Sequence, residues 1–389
     1  MVHLLLIIIY LAFISLGLPD SLLGSAWPVM YKEFGIPVSY AGILSMIIAA
    51  GTVLSSLQSE KLTKKFGTGK VTVASVFITA IALVGFSCSH SFQSLCLWAI
   101  PYGLGAGSVD ASLNNYVVLN YASRHMSWLY CMWGLGASAG PYIMGYVLAF
   151  GNDWNKGYRY IGILQMGLSV ILLLSLPLWK KTDEIGQVAD CSICSQPLSL
   201  WHIVNIKGAK EVMVTFFCYS ALEQTITLWV GSYLALGRGF QTKSAAFYAG
   251  LFFAGITVGR ALGGFLTIKL TDTTMVRSGI VLIFIGILFL FIPSSSITPL
   301  IGLILIGAGC APVYPCIIHS IPKHFGTDKS QAMIGIQVAS AYTGMCIMPP
   351  LFGMAANCIS VLLFPFYLII ILLLMAFMHE VMLKKCQSK

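Results

Sequence analysis

The chain of 389 residues is 58% hydrophobic and only 9% charged, and its formal net charge is +9. Soluble domains contain about 25% charged residues, so this composition excludes a soluble globular protein. Runs of roughly 20 apolar residues recur from end to end, and each is long enough to cross a ~30 Å hydrocarbon core as a helix. The sequence therefore predicts a polytopic, all-α membrane protein.

Twelve apolar segments are predicted as transmembrane helices. They cover residues 4–29, 38–58, 69–89, 93–119, 126–149, 158–179, 209–236, 243–267, 275–293, 297–321, 329–355 and 359–383. The first segment begins MVHLLLIIIYLAFISLG, which has no basic n-region and no small-residue cleavage site. We therefore expect it to be the first span rather than a secretory signal peptide.

Positive charge is concentrated on one predicted side of the membrane. Of the 22 Lys and Arg residues, 16 fall in the even-numbered loops and the C-terminal tail, five fall in the odd-numbered loops, and Arg260 lies inside a span. Cytoplasmic loops are enriched in Lys and Arg, so both termini of this multi-pass protein are predicted to be cytoplasmic, with the plasma membrane as its location. The net positive charge therefore reflects the orientation of the chain in the membrane, and we expect no nucleic-acid partner.

The 11 cysteines do not indicate a disulfide framework, because they are odd in number and scattered mostly through the spans. Cys191 and Cys194 form a single CxxC pair in a predicted cytoplasmic loop. One such pair supplies only two of the four ligands of a structural zinc site. We expect free thiols, no metal and no other cofactor.

A polar stretch divides the chain into two halves. The longest polar segment, residues 180–207, contains KKTDEIGQVADCSICSQ and is predicted to be a cytoplasmic linker. It separates an N-terminal six-helix bundle, residues 1–179, from a C-terminal six-helix bundle, residues 208–389.

The two halves repeat the same motifs. GAGSVD at 105–110 recurs as GAGCAP at 307–312, 202 residues later, and Asp20 corresponds to Glu223, 203 residues later. The offset spans six predicted helices, so both copies cross the membrane in the same direction. Parallel repeats of this kind are typical of secondary transporters of the major facilitator type, whose site lies near the midplane between the halves.

The sequence contains none of the motifs of an ATP-driven pump or of a common intramembrane enzyme. The phosphate-binding pattern GxxxxGK[ST] is absent, and so are HExxH and GxSxG. We therefore predict a secondary transporter that works by alternating access and is not an enzyme. A receptor or scaffold that keeps the fold without moving a solute is the alternative from another class.

Three acidic residues lie deep within predicted spans, namely Asp20, Asp110 and Glu223. A charge at the bilayer centre costs about 2.5–3.5 kcal/mol, so such residues usually face a cavity and serve a function. A carboxyl group that exists in charged and neutral forms is what proton coupling requires. We predict that Asp110 is the main proton carrier and that Asp20 binds substrate and shares in protonation. A structural hydrogen bond to a neighbouring helix is the alternative for each.

Polar and aromatic side chains near these acids are predicted substrate ligands. They are Asn114 and Asn115 after Asp110, Trp27 on the face of Asp20, and Glu223 with Gln224 and Trp229. An amide one turn from Asp110 offers a donor and an acceptor that suit a pair of sugar hydroxyls. A place in the aromatic belt is the alternative for Trp27. Pro19 removes a backbone donor beside Asp20 and is expected to leave an unpaired carbonyl near the acid.

The whole chain resembles the major facilitator transporters, and particularly the fucose–proton symporter group with its sodium-dependent glucose transporter relatives. The motifs that carry the resemblance are LPDSLLGSAWP, VDASLNN, GLGASAGP, VGRALGG and GAGCAPVYP, in spans 1, 4, 5, 8 and 10. The resemblance implies the twelve-helix fold in two parallel six-helix repeats. It also implies that the acids of spans 1 and 4, Asp20 and Asp110, carry substrate binding and proton coupling.

The segment between spans 2 and 3 departs from the superfamily pattern GxxxDRxGRR. It reads EKLTKKFGTGK, with Glu60 in place of the glycine, Lys64 in place of the aspartate, and Lys65 retained. We therefore expect gating to involve Glu60, Lys65 or Arg260, although Arg260 also suits a structural role with its charge reaching the membrane interface. Tyr130 stands where relatives often carry an amide or histidine, and it is a further predicted substrate ligand.

These features together predict proton-coupled uptake of a small polar solute, with a monosaccharide favoured, by a functional monomer. Sodium coupling stays open because a carboxylate with amide oxygens suits either ion. Abundant methionine and aromatic residues would also suit an apolar efflux cavity, and GxxxGP resembles the antiporter motif of drug exporters. Proton-driven efflux of amphipathic compounds is therefore the alternative function.

Overall fold

The computed structural model describes residues 2–120, 124–150, 153–186, 205–266, 270–292 and 297–387. These residues are almost entirely helical, and none of them lies in a β-strand. The helices of the first half are α1 Val2–Asp20, α2 Leu22–Glu33, α3 Tyr40–Phe66, α4 Thr68–Ser87, α5 Phe92–Asn120, α6 Arg124–Ala149 and α7 Trp154–Gly186. Those of the second half are α8 Ala209–Ser232, α9 Thr242–Leu266, α10 Asp272–Phe291, α11 Thr298–Phe325, α12 Thr327–Cys358 and α13 Phe364–Gln387.

The first predicted span consists of two helices. Helix α1 ends at Asp20 and α2 begins at Leu22, with Ser21 between them. The break follows Pro19, which has no N–H to donate to the carbonyl of Ser15 four residues earlier. That carbonyl accepts a hydrogen bond of 2.6 Å from Nε2 of Gln165 on α7. The expectation of an unpaired carbonyl at this bend was therefore wrong, because a neighbouring helix supplies the missing donor.

The twelve predicted spans all fall on helices, but two of the predicted loops do not exist as loops. Helix α3 continues to Phe66, and Gly67 alone separates it from α4. In the same way, Gly326 alone separates α11 from α12. Both glycines have a positive φ, +83° and +93°, which a residue with a side chain rarely adopts. The predicted spans follow hydropathy, whereas the helices continue through the more polar residues that lie between them.

Eight helical segments of the described residues are long and apolar enough to cross a membrane by length and composition. Helices α3, α5, α6 and α8 are not among them, although each exceeds 20 residues. Of these four helices, α5 carries Asp110 and α8 carries Glu223. Two of the helices outside this set are thus ones that carry an acid predicted to lie deep within a span.

The chain divides into two compact units. Unit 1 contains the described residues of Met1–Cys194 together with Phe240–Gly250, and unit 2 contains those of Ser195–Gly239 and Leu251–Lys389. Most of the predicted linker, 180–207, lies outside the described residues, so the three-part division drawn from the sequence stays a prediction. The apolar core of unit 1 joins α1, α5, α6 and α7 through buried side chains that include Ile9, Phe13, Leu113 and Leu172.

Neighbouring helices approach each other at glycines that face backbone carbonyls. In unit 1 a Cβ at Gly103 would overlap the carbonyl oxygen of Ile48, and one at Gly105 would lie 2.8 Å from that of Ser75. In unit 2 the equivalent pairs are Gly307 with Phe252, and Gly309 with Gly279. Each of the four residues in unit 2 has a number 204 higher than its counterpart in unit 1. The offset between the structurally equivalent residues is therefore 204, whereas the sequence motif repeats with an offset of 202. The counterpart of Asp110 is therefore Tyr314, and not Pro312 as the motif alignment implied.

The contact between α1 and α6 gives the first prediction. A methyl group at Gly136 would overlap the carbonyl oxygen of Ile14, so Gly136→Ala forces the two helices apart. Overpacking of this kind costs about 1–3 kcal/mol. We expect a clearly lower melting temperature of the purified protein in detergent.

Gly167 provides the matched control. It lies on α7, and a Cβ there would meet no atom within 4 Å. Because Ala favours a helix by up to ~1 kcal/mol over Gly, Gly167→Ala should leave the melting temperature unchanged or raise it. Equal melting temperatures for the two variants would contradict the helix contact.

Candidate functional site

Asp20 lies at the break of the first span, in contact with two other helices of unit 1. Its Oδ1 accepts a hydrogen bond of 3.2 Å from the hydroxyl of Tyr102 on α5. Its Oδ2 accepts one of 2.9 Å from Nε1 of Trp133 on α6. The carboxylate is half-buried, and each of its oxygens has a donor. These two donors compensate part of the cost of holding an acid within an apolar span.

Asp110 lies near Asp20 and has a different environment. Its Oδ1 accepts a hydrogen bond of 2.9 Å from Nδ2 of Asn114, one turn further along α5. Its other oxygen has no hydrogen-bond partner in the part of the chain that the structure describes. The charge of Asp110 acts on Asp20 through space, so the two acids belong to one electrostatic site. The structure therefore brings together the two acids and the amide that the sequence predicted.

Asn114 has an unused acceptor inside this site. While its Nδ2 donates to Asp110, its Oδ1 is buried and has no hydrogen-bond partner among the described residues. An amide oxygen buried without a donor costs about 1–3 kcal/mol, which a hydroxyl or ammonium group of a bound molecule would recover. Asn115 follows directly on α5, and its side chain lies outside the described residues.

Glu223 is the centre of a second cluster, in unit 2. It lies half-buried on α8, within electrostatic reach of the guanidinium of Arg260 on α9 and of the hydroxyl of Tyr219. Tyr219 also donates to the carbonyl oxygen of Cys310 on α11, at 3.2 Å. Gln224, which follows Glu223, is half-buried. The cation predicted from the sequence as a gate thus interacts with an acid of its own unit.

Trp27 and Trp229 are buried completely, although both were predicted to contact substrate. Nε1 of Trp27 donates to the carbonyl oxygen of Val38 at 2.7 Å, and Nε1 of Trp229 donates to that of Pro349 at 2.8 Å. Trp229 also packs edge-to-face on Phe352. Both indoles therefore join elements within one unit and present no surface to a solute in this structure.

The remaining predicted residues are spread more widely. Tyr130 on α6 is half-buried and packs edge-to-face against Phe13 of α1, with ring centroids 6.4 Å apart. Lys65 is exposed near the end of α3, with its Nζ 5.4 Å from the centroid of the Phe66 ring. Glu60 lies on the same helix, and its side chain is outside the described residues. The gating roles of Glu60, Lys65 and Arg260 stay predictions.

Sequence reasoning did not identify Tyr102 or Trp133, the two donors to Asp20. Trp133 is 113 residues away from Asp20 in the chain, and no local pattern relates the two. The signal lies in the glycines, because a Cβ at Gly17 would overlap the carbonyl oxygen of Trp133. The helix contact at Gly17 brings Trp133 close to the acid that follows three residues later.

Comparison with known proteins assigns the fold to a family. Residues 9–349 match the profile of the Major Facilitator Superfamily. The chain belongs to this superfamily. Its members are transporters rather than enzymes, and this one is a multi-pass membrane protein, as the sequence predicted.

Individual relatives are distant but cover most of the chain. The glucose/mannose transporter of Bacillus subtilis (strain 168) is 24% identical, over 91% of this chain and 88% of its own length. A 4-hydroxybenzoate transporter of Pseudomonas aeruginosa is 22% identical, over 88% and 84%. The crystal structure of a bacterial homologue of the human lysosomal transporter Spinster has a TM-score of 0.77 at 12% identity, with 98% of each chain covered. That last similarity concerns the fold alone.

The different environments of Trp133 and Trp229 lead to a prediction for this superfamily member. Trp133→Phe removes a donor from Asp20, so we expect several-fold slower uptake of the transported solute into proteoliposomes, measured on protein shown to be folded. Trp229→Phe removes a buried hydrogen bond that is worth about 0.5–1.5 kcal/mol, so it should lower the melting temperature and leave the KM unchanged. If Trp229→Phe slowed uptake and Trp133→Phe only lowered the melting temperature, the transport role of Trp133 and the structural role of Trp229 would both be wrong.

Proposed function

We propose that this protein takes up a small polar solute together with protons, and that a monosaccharide is the substrate. The observation that carries the proposal is the cluster of Asp20, Asp110 and Asn114, which lies on two helices of one unit. A carboxyl group in each of two largely apolar spans is costly unless it serves a function. Proton binding and release is the function for which such groups are best suited.

The two acids take different parts in the proposed cycle. Asp20 has a donor on each oxygen, so its position is fixed by Tyr102 and Trp133. Asp110 has one oxygen without a hydrogen bond in the described residues, which leaves it open to a proton or to a solute hydroxyl. We assign the main proton exchange to Asp110 and the orientation of substrate to Asp20.

The chemistry of the cluster favours a neutral polyhydroxylated solute. Carboxylate oxygens accept hydroxyl protons, and the buried Oδ1 of Asn114 is an additional acceptor. A negatively charged solute would be repelled by the two acids. The similarity to a glucose/mannose transporter, over nine-tenths of the chain, supports the same substrate class.

Alternating access supplies the transport cycle in this proposal. The site opens to one side of the membrane at a time, and protons drive the solute inward. We place the protein in the plasma membrane as a functional monomer with both termini in the cytoplasm, in agreement with the distribution of Lys and Arg.

A transport assay in liposomes tests the proposal. The purified protein is reconstituted with an internal pH-sensitive dye, and hexoses and deoxyhexoses are added one at a time. We expect internal acidification with at least one sugar, and its loss in Asp110→Asn. Asp153→Asn changes an exposed acid of the same unit and is the matched control, which should acidify like the unchanged protein.

The same assay separates the competing functions. Uptake that depends on a sodium gradient and causes no acidification would show that sodium, and not the proton, is the coupling ion. Transport of 4-hydroxybenzoate or extrusion of amphipathic cations, with no response to any sugar, would overturn the sugar assignment. A folded, reconstituted protein that moves none of these solutes would contradict the proposed function as a whole.

A second variant tests the role of the amide. Asn114→Ala removes the donor to Asp110 and the buried acceptor together. One lost hydrogen bond of about 0.5–1.5 kcal/mol corresponds to a two- to twelve-fold weaker interaction, so we expect the KM for the sugar to rise by roughly that factor. An unchanged KM would exclude Asn114 from substrate contact.

A further inference from the structure

An apolar groove opens on the outer surface of unit 1, away from the acidic cluster. It lies between α4 and α7 and has a volume of about 420 Å³. Phe77 from α4 and Val170 and Leu173 from α7 line it, and they are 45%, 51% and 53% exposed. Ser169 also contributes, but its hydroxyl donates to the carbonyl of Met166 at 2.7 Å and is thereby satisfied. The walls of the groove thus offer a bound molecule almost exclusively apolar contact.

Lys70 is the one charged residue that lines this groove. On α4 it shares a helix face with Val73, Ala74 and Phe77, which follow at intervals of three, four and seven residues. Lys70 is exposed and forms no ion pair with any described residue. The first turn of α4 contains no acidic residue. No described side chain neutralises the positive charge at this end of the groove, and apolar side chains line most of its length.

The contact of Gly69 with Trp179 fixes the position of Lys70. A Cβ at Gly69 would lie 2.8 Å from the Trp179 ring, so the start of α4 packs directly on the indole at the end of the apolar part of α7. Trp179 is 2% exposed and donates to Oγ of Ser175 at 3.1 Å. This contact holds the backbone next to Lys70 against α7.

The length of the groove matches one leaflet of a bilayer. At 1.5 Å per residue, the seven residues from Lys70 to Phe77 span about 10 Å, and the ten from Met166 to Leu176 span about 15 Å. Half of a ~30 Å hydrocarbon core is also about 15 Å. Lys70 belongs to the segment that the charge distribution assigns to the cytoplasmic side.

We propose that this groove is a binding site for an anionic phospholipid of the cytoplasmic leaflet. One acyl chain lies between α4 and α7, and the phosphate is bound by the ammonium group of Lys70. A lipid-facing groove contains no water to satisfy a peptide backbone, so the occupant must be apolar along its length. An anionic headgroup fits Lys70 better than a zwitterionic one, because it brings no cation of its own to the lysine.

Native mass spectrometry tests the proposed site. The protein is reconstituted in phosphatidylcholine vesicles with a minor fraction of phosphatidylglycerol. The protein is then released from the vesicles in the mass spectrometer, and the lipid molecules of each kind that stay bound to it are counted. We expect preferential retention of phosphatidylglycerol. One lysine near an anionic surface is worth about a five-fold change in binding, so Lys70→Gln should reduce the preference about five-fold and Lys70→Arg should keep it.

Lys61→Gln is the matched charge control, because Lys61 is exposed on the same predicted side and does not line the groove. An equal loss in Lys61→Gln and Lys70→Gln would overturn the site in favour of general surface charge. Absence of any preference in the unchanged protein would overturn it as well.

A second pair of variants tests the groove independently of its charge. Ala74→Trp fills the groove with an indole and should reduce the retention of both lipids, while Ala149→Trp places the same side chain at an exposed position on α6, outside the groove. Melting temperatures in detergent establish that both variants are folded. Full retention of phosphatidylglycerol by a folded Ala74→Trp protein would contradict the placement of the acyl chain.

Discussion

Close contact between helix backbones at glycine is the constraint on which the rest of this structure depends. In a bilayer each helix satisfies its own backbone hydrogen bonds, and apolar side chains gain little by leaving lipid for protein. Helices must therefore be joined by dense packing and a few polar bonds. Here the glycines of α5, α6, α11 and α12 face carbonyl oxygens of neighbouring helices, and a single methyl group would separate them. The repetition of these pairs in both units indicates that the duplicated element is a set of helix contacts.

The polar site follows from the same contacts. Asp20 is at the end of a helix that Pro19 breaks, and its donors come from α5 and α6 because those helices approach α1 and its neighbours closely. The bend itself is supported by Gln165, which replaces the backbone donor that proline lacks and in turn accepts a hydrogen bond from Thr79 at 3.0 Å. One buried amide thus joins three helices at the level of the break. Both oxygens of Asp20 have donors, while Oδ1 of Asn114 and one oxygen of Asp110 have no hydrogen-bond partner among the described residues.

Sequence reasoning identified the fold, whereas the functions that it assigned to individual side chains stay predictions. The twelve spans follow from hydropathy, because a bilayer imposes one length and one polarity on every crossing. Asp20 and Asp110 stand out for the same reason, since an acid in such a span is rare. Trp27 and Trp229 were assigned to the substrate from their type and spacing, whereas their indole N–H groups satisfy carbonyls of neighbouring segments. Trp133 could not be identified at all, because its relation to Asp20 exists only once α1 and α6 are in contact.

The two single-residue connections have a mechanical consequence. Gly67 joins α3 to α4 and Gly326 joins α11 to α12 without any loop that could absorb a displacement. Because a single residue connects the two helices of each pair, a tilt of one helix displaces the adjoining end of the other. The glycine is the pivot of that movement. The left-handed φ of that pivot is accessible at low cost only to glycine. A larger residue there would displace the junction, and the far ends of both helices, about 30–48 Å from the substitution, would move with it.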